Sequence, residues 1–169
     1  MASVKEDVLA ALGALGIPYE LLEHAPVHTM EDCKAAEEAL GGVMPKNLFL
    51  TPRNHASHHL LIARAEAPFR TSRISRQLGV SRLSFATAEE LMEMLRTLPG
   101  AISPMGLLFD GEKKVRLAID RALRGEERLL FHPCVNTATL AVSGADFFER
   151  LLPALGHEAA YVDMEEDAE

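Results

Sequence analysis

Apolar and polar residues follow two different periods along this chain, and each change of period marks an element. In "SVKEDVLAALGALG" the apolar Val4, Val8, Leu12 and Leu15 recur on one helical face. Ser3 and Glu6 stand at capping-box spacing and Gly16 supplies a stop, so a helix is predicted there. "YELLEH" predicts a short strand. "TMEDCKAAEEALGG" repeats the helix grammar, opened by Thr29 and Asp32 and closed by Gly41. Residues 46–51 and 58–64 are two apolar runs around a polar turn and predict a hairpin.

Downstream, "SRISRQLG" predicts a short helix, "RLSFA" a strand, and Thr87 with Glu90 opens a further helix. "KVRLAID", "RLLFHP" and "TATLAVS" read as strands, "SGADFFERLLPALG" as the last helix, and "AYVDM" as a terminal strand. The acidic tail, about 164–169, is expected to fray. Strands and helices mix without a regular βαβ repeat, which predicts a single α+β domain over 1–169, a mixed sheet flanked by helices.

Composition adjusts this picture in a few places. A chain of 169 residues, 48% hydrophobic, can bury one real core. It has no apolar run of the roughly 18 residues a membrane helix needs, and its first residues carry acids where a secretory signal would be basic. A soluble, cytoplasmic protein with no membrane partner is expected. Cys33 and Cys134 form neither a CxxC nor a disulfide framework and are expected to be reduced, with no redox role.

The net charge of −8 argues against binding a polyanion such as DNA, but the distribution matters. Residues 1–40 hold 2 basic and 8 acidic side chains and 146–169 hold 1 and 8, whereas 41–145 hold 14 and 9. Within that middle, Arg53, Arg64, Arg70, Arg73, Arg76 and Arg82 face only Glu66. The segment is either a solvated charged surface or a local basic face able to hold phosphates.

Three places are chemically odd for a simple core. "PKNLFL" puts Lys46 and Asn47 where a strand begins; this is either an ordinary strand edge or the polar end of a pocket. "LPGAISPMGLL" interrupts apolar sequence with Pro99, Gly100, Ser103, Pro104 and Gly106. It is either a structural turn or a shaped loop whose amides approach a ligand. "FHPCVNTATL" places His132, Asn136 and Thr137 around a bend between strands, where a histidine is either a hydrogen-bonded structural residue or a group lining a cleft.

"HASHH" offers His55, His58 and His59, but no nearby acid or cysteine completes a metal set, and strand alternation splits adjacent histidines between faces. No metal is expected. A P-loop, a GxGxxG before a helix and a GxSxG elbow are all missing, so neither nucleotide-driven chemistry nor covalent hydrolysis is expected, and no cofactor.

Taken in order, "PKNLFL", "LGVSRLSFATAEEL", "PGAISPMGLL" and "HPCVNTATLAVSGADFFERLL" resemble the YbaK/ProX-type aminoacyl-tRNA editing family, from about Pro18 to Gly156. Within it the chain is most similar to the free-standing alanyl-tRNA(Pro) deacylases related to the editing insertion of bacterial prolyl-tRNA synthetases. The resemblance implies a partly barrel-like α+β fold and metal-independent hydrolysis of the ester of mischarged tRNA(Pro). It carries catalytic positions onto Lys46, Asn47, Gly100 and Ser103, and substrate-binding positions onto Pro104, Gly106 and His132, beside which Asn136 and Thr137 stand.

The implied partners are the acceptor end of tRNA(Pro) and prolyl-tRNA synthetase. Lys46 would contact phosphate or ester oxygen, Asn47 would orient the substrate, and water would attack while amides near Gly100 to Ser103 hold the oxyanion. Pro45 departs from the family, where a small or polar residue is common, and this bears on which amino acid is accepted. The rivals are a Cys- or Ser-specific sister deacylase and a non-catalytic tRNA- or synthetase-binding module.

Overall fold

The computed structural model describes residues 3–27 and 31–164; Thr29 and most of the acidic tail lie outside the described residues. The first helix, α1 (Val4–Ala14), carries the expected capping box between Ser3 and Glu6 and buries Val8 and Leu12. Leu15 leaves that face: it caps the helix and is exposed, because Gly16 at φ +68° turns the chain away. Strand β1 (Glu20–Glu23) follows, then α2 (Lys34–Leu40), closed by Gly41.

The hairpin forms as read, with β2 (Lys46–Pro52) antiparallel to β3 (His58–Ala63) and Lys46 opposite Ala63. Helix α3 (Thr71–Leu78), β4 (Leu83–Phe85) and α4 (Ala88–Leu95) come next, the last with a capping box between Thr87 and Glu90. Two 3₁₀ segments, Pro99–Ala101 and Pro104–Phe109, lead to β5 (Val115–Asp120), then β6 (Arg128–Phe131) and β7 (Ala138–Ser143). The last helix is α-helical over Gly144–Asp146, π-helical over Phe147–Leu151 and α-helical again over Leu152–Leu155. Pro153 has no N–H to give Glu149, and the widened turn precedes that break in the ladder. Strand β8 (Ala159–Val162) completes the order.

The strands divide into two sheets. One runs β4-β2-β3-β5-β8, antiparallel at the β4 side and parallel at the β8 side; the other is the antiparallel trio β1-β7-β6. Among the described residues they meet through one bridge, Val43 to Leu129, and close no barrel. Gly42 makes that bridge possible. It sits at φ +138°, where a Cβ would lie 2.7 Å from Leu130 and 2.8 Å from the Arg128 carbonyl.

Strand alternation explains the core. Phe49, Leu60, Ile62, Leu117 and Ile119 point into the large cluster beneath α1, α4 and the last helix, while Leu50, Leu61, Ala63 and Ala118 point the other way, onto Ile74 of α3 and Leu83. Both faces of β3 and β5 are covered, so they read as nearly unbroken apolar runs. A third, small cluster of Val27, Cys33, Met44, Leu130 and Ala141 stays separate from both. Among the described residues no helix is long and apolar enough to cross a membrane.

Candidate active site

The third cluster does not fuse with the main core, and the gap is a cleft of ≈ 220 Å³. Its apolar wall is Val27, Cys33, Met44, Ile102, Leu130 and Phe131; its polar groups are Lys46, Asn47 and His132, and Pro99-Gly100 form a lip. The bridge at Val43 fixes where β2 starts relative to β6, and so sets Lys46 and Asn47 against the wall built by Leu130 to His132.

Lys46 and Asn47 leave β2 on opposite faces. The Lys46 ammonium donates to the carbonyl of Ala67, which belongs to the cluster beneath α3, and this fixes the side chain while leaving two N–H groups unassigned. Asn47 takes the face of Phe49. Its Oδ1 is, among the described residues, the one buried side-chain polar atom without a hydrogen-bond partner. An unmade hydrogen bond of this kind costs about 1–3 kcal/mol, and among the described residues no donor offsets it.

His132 donates through Nδ1 to the Ala138 carbonyl at 2.9 Å, which leaves Nε2 as an acceptor. Burial lowers its pKa, the Ala138 bond opposes that shift, and His24 nearby adds to it, so the ring is neutral at physiological pH. The His24 ring stands edge-on to it, with centroids 6.4 Å apart, held by the Ala25 carbonyl and the Thr139 hydroxyl, each at 2.8 Å.

The 98–109 loop is shaped from within. Thr97 donates its hydroxyl to the Ala101 carbonyl at 2.8 Å, and the Ala101 amide is engaged by the Leu98 carbonyl at 2.9 Å. That occupies one of the amides expected near the reacting ester. Gly100 is exposed at the lip, and a Cβ there would meet only Asn136 Nδ2, at 3.7 Å.

Ser103 is fully buried, and its Oγ accepts from the Met105 amide at 3.1 Å, capping Pro104–Phe109. Gly106 is buried against α4: a Cβ would lie 2.7 Å from the Leu95 carbonyl oxygen. Ser103, Pro104 and Gly106 therefore shape the loop and do not line the cleft. Thr137 is exposed and away from it, while Asn136 stands behind the lip and donates to the Val27 carbonyl at 3.3 Å.

Three groups in or near the cleft could be taken for nucleophiles, and none suits the role. Ser103 Oγ is enclosed. Burial, with Glu37 and Asp32 adding to it, pushes the Cys33 thiol up, and burial outweighs Arg96 to push Cys134 up to about 12. Both sulfurs stay protonated at neutral pH. The polar groups of the cleft, Lys46, Asn47 and His132, are suited to holding and orienting a substrate.

Sequence reasoning did not find Val27, Cys33, Met44 or Ile102 as wall residues. Met44 could have been found from its place just before "PKN"; Val27 and Cys33 carry no local signal. Of the middle arginines, Arg64 Nε pairs with Asp120 at 2.8 Å and Arg73 Nε with the Asp163 carbonyl at 2.7 Å. Arg70, Arg76 and Arg82 line a separate open groove with Thr71 and Ser72 of α3.

The expectation for the histidine cluster needs correcting. His58 and His59 do split between faces: His59 is buried, its pKa lowered to about 4 by burial and then by Arg116 and His58. An acid does stand by the other two, however, because α4 brings Glu90 against His55 and His58.

A family model described as the aminoacyl-tRNA editing domain matches residues 24–149, which include every group lining the cleft. The prolyl-tRNA editing protein ProX of Acetoanaerobium sticklandii is 31% identical over 160 residues, 95% of this chain and 97% of that one. The prolyl-tRNA synthetase associated domain-containing protein 1 of Danio rerio is 31% identical over 150 residues, 88% and 81% of the two chains. The crystal structure of hypothetical protein APE2540 superposes with a TM-score of 0.73 at 20% identity, over 93% of this chain and 99% of that one.

Proposed function

The chain belongs to the aminoacyl-tRNA editing domain family, and on that footing we propose that it is a cytoplasmic trans-acting deacylase hydrolysing mischarged tRNA(Pro), with Ala-tRNA(Pro) as its substrate. The observation that carries this reading is the buried, unpartnered Asn47 Oδ1 at the cleft. An aminoacyl ester presents an α-ammonium group and a ribose hydroxyl, both donors, beside a carbonyl that must be held. Asn47 takes a donor, and the free N–H groups of Lys46 hold the ester or phosphate oxygen. Neutral His132 accepts through Nε2 from a hydroxyl or the attacking water. Amides at the Gly100 lip other than that of Ala101 face the developing oxyanion.

The choice of alanine rests on the apolar wall, against which a small side chain packs. The side chain would lie against Val27, Met44 and Leu130, and one methylene more or less in an apolar pocket is worth about 1–3 kcal/mol of discrimination. The groove of Arg70, Arg76 and Arg82 would hold acceptor-stem phosphates, with salt-sensitive affinity. Prolyl-tRNA synthetase, as the source of the mischarged product, is the natural partner.

The deciding experiment is single-turnover hydrolysis of tRNA(Pro) charged with alanine, serine, cysteine or proline. Rapid loss of alanine with proline spared supports the reading. A preference for cysteine or serine moves the protein to a sister activity, and tRNA binding without hydrolysis of any ester makes it a binding module.

A further inference from the structure

We propose that His55, His58 and Glu90 form a zinc-class metal site at the far end of the β2–β3 hairpin, separate from the cleft and independent of the editing reading. One ligand atom from each lies within 4.8 Å of the other two, and His55 Nδ1 and His58 Nε2 are the ring nitrogens bonded to the Glu90 carboxylate. Among the described residues this is the one such group of three. Tetrahedral zinc with bonds of about 2.0–2.1 Å needs ligand atoms roughly 3.3 Å apart, and His55 Nδ1 already stands 3.1 Å from Glu90.

The three side chains are held by the fold. His58 stacks on Phe49 with ring centroids 5.7 Å apart and is only 14% exposed. His55 sits at φ +55° in a turn closed by its own amide to the Pro52 carbonyl, at 2.9 Å, and by the Ala56 amide to Asn54 Oδ1, at 3.0 Å. Glu90 is fixed by the Thr87 capping box at the start of α4.

Two imidazoles and one carboxylate select a borderline cation such as Zn²⁺, Co²⁺ or Ni²⁺ over Mg²⁺ or Ca²⁺, which prefer oxygen. Three protein ligands leave a fourth position for water. The site lies about 16 Å along β3 from the partner of Lys46, five residues at roughly 3.3 Å each, so the metal joins the hairpin turn to α4 and takes no part at the cleft.

The test is calorimetric titration of the chelator-treated protein with Zn²⁺, with Co²⁺ absorption as a second reading of coordination. The wild type should bind one equivalent saturably and unfold at a higher temperature when loaded. His55→Asn, whose side chain tolerates the left-handed backbone, and Glu90→Gln, which keeps the capping box, should each weaken binding at least about tenfold and lose the thermal shift. Absence of saturable binding by the wild type, or unchanged affinity in both variants while each stays folded, overturns the site.

Discussion

Asn47→Ala separates function from stability with opposite signs. The perturbation removes an acceptor that, in the free protein, is buried and unmatched. Such a group costs about 1–3 kcal/mol, while alanine and asparagine are both poor strand residues, so truncation loses little else. Stability should stay level or rise by about 1 kcal/mol, which for a chain of this size is an increase of roughly 2–4 °C in Tm. Activity should move the other way. A hydrogen bond to a charged ammonium is worth about 1.5–3 kcal/mol, so kcat/KM for Ala-tRNA(Pro) should fall roughly 10- to 150-fold. Thermal unfolding by circular dichroism and deacylation under subsaturating substrate measure the two quantities on one preparation. A Tm lowered by more than about 3 °C would mean that the oxygen has a partner within the fold, and an unchanged kcat/KM would remove it from the site.

Four further outcomes follow from the same geometry. Lys46→Ala should abolish most deacylation with the fold intact; near-normal turnover by a folded variant would end its assignment. Gly106→Ala, whose Cβ would stand 2.7 Å from the Leu95 carbonyl, should cost about 1–3 kcal/mol, whereas Gly100→Ala meets only Asn136 at 3.7 Å and should leave Tm unchanged while slowing hydrolysis; equal effects of the two on Tm would contradict this. Asp110 is buried, and burial alone would raise its pKa, but hydrogen bonds from His157 and from the Val115 and Lys114 amides outweigh this and hold it below the ordinary 3.8. Its carboxylate therefore stabilises the fold fully above that value and loses the contribution as pH falls through the lowered one. Asp110→Asn should destabilise the fold at pH 5, and the gap to wild type should narrow as pH falls below the ordinary 3.8 in denaturant titrations; a gap that widens on acidification would refute it. Chelation should leave the deacylation rate unchanged while lowering Tm, and a rate lost on chelation and restored by zinc would place metal in the chemistry.

Local chemistry was legible in the sequence because its causes lie within a few residues. Capping boxes at Ser3–Glu6 and Thr87–Glu90 require a spacing of three, and each hairpin strand carries its own apolar pattern, so both helix starts and the β2–β3 pair stand where they were read. The order of four short motifs was enough to indicate the family, since a family signature is also a linear property. The "GAISPMG" loop read as either a structural turn or a ligand-approach loop, and sequence does not say which face a glycine turns to its neighbours. In the fold Gly100 stands at the lip and Gly106 against α4.

Long-range placement needed the tertiary structure. The orphaned Asn47 oxygen is defined by what fails to reach it, and no local window contains that information. Glu90 meets His55 and His58 across more than thirty residues of chain, because α4 folds back over the hairpin turn. Val27 and Cys33 wall the cleft only because the cluster they share with Leu130 packs apart from the main core. Sequence by itself determined most of the elements, the caps at Ser3 and Thr87, and the family, while α2 starts only at Lys34 after Cys33, with no side-chain cap, and not at Asp32. Which side chains share a cavity, and which polar atom is left wanting there, was decided by packing, because burial and hydrogen-bond satisfaction belong to the assembled fold and to no segment of it.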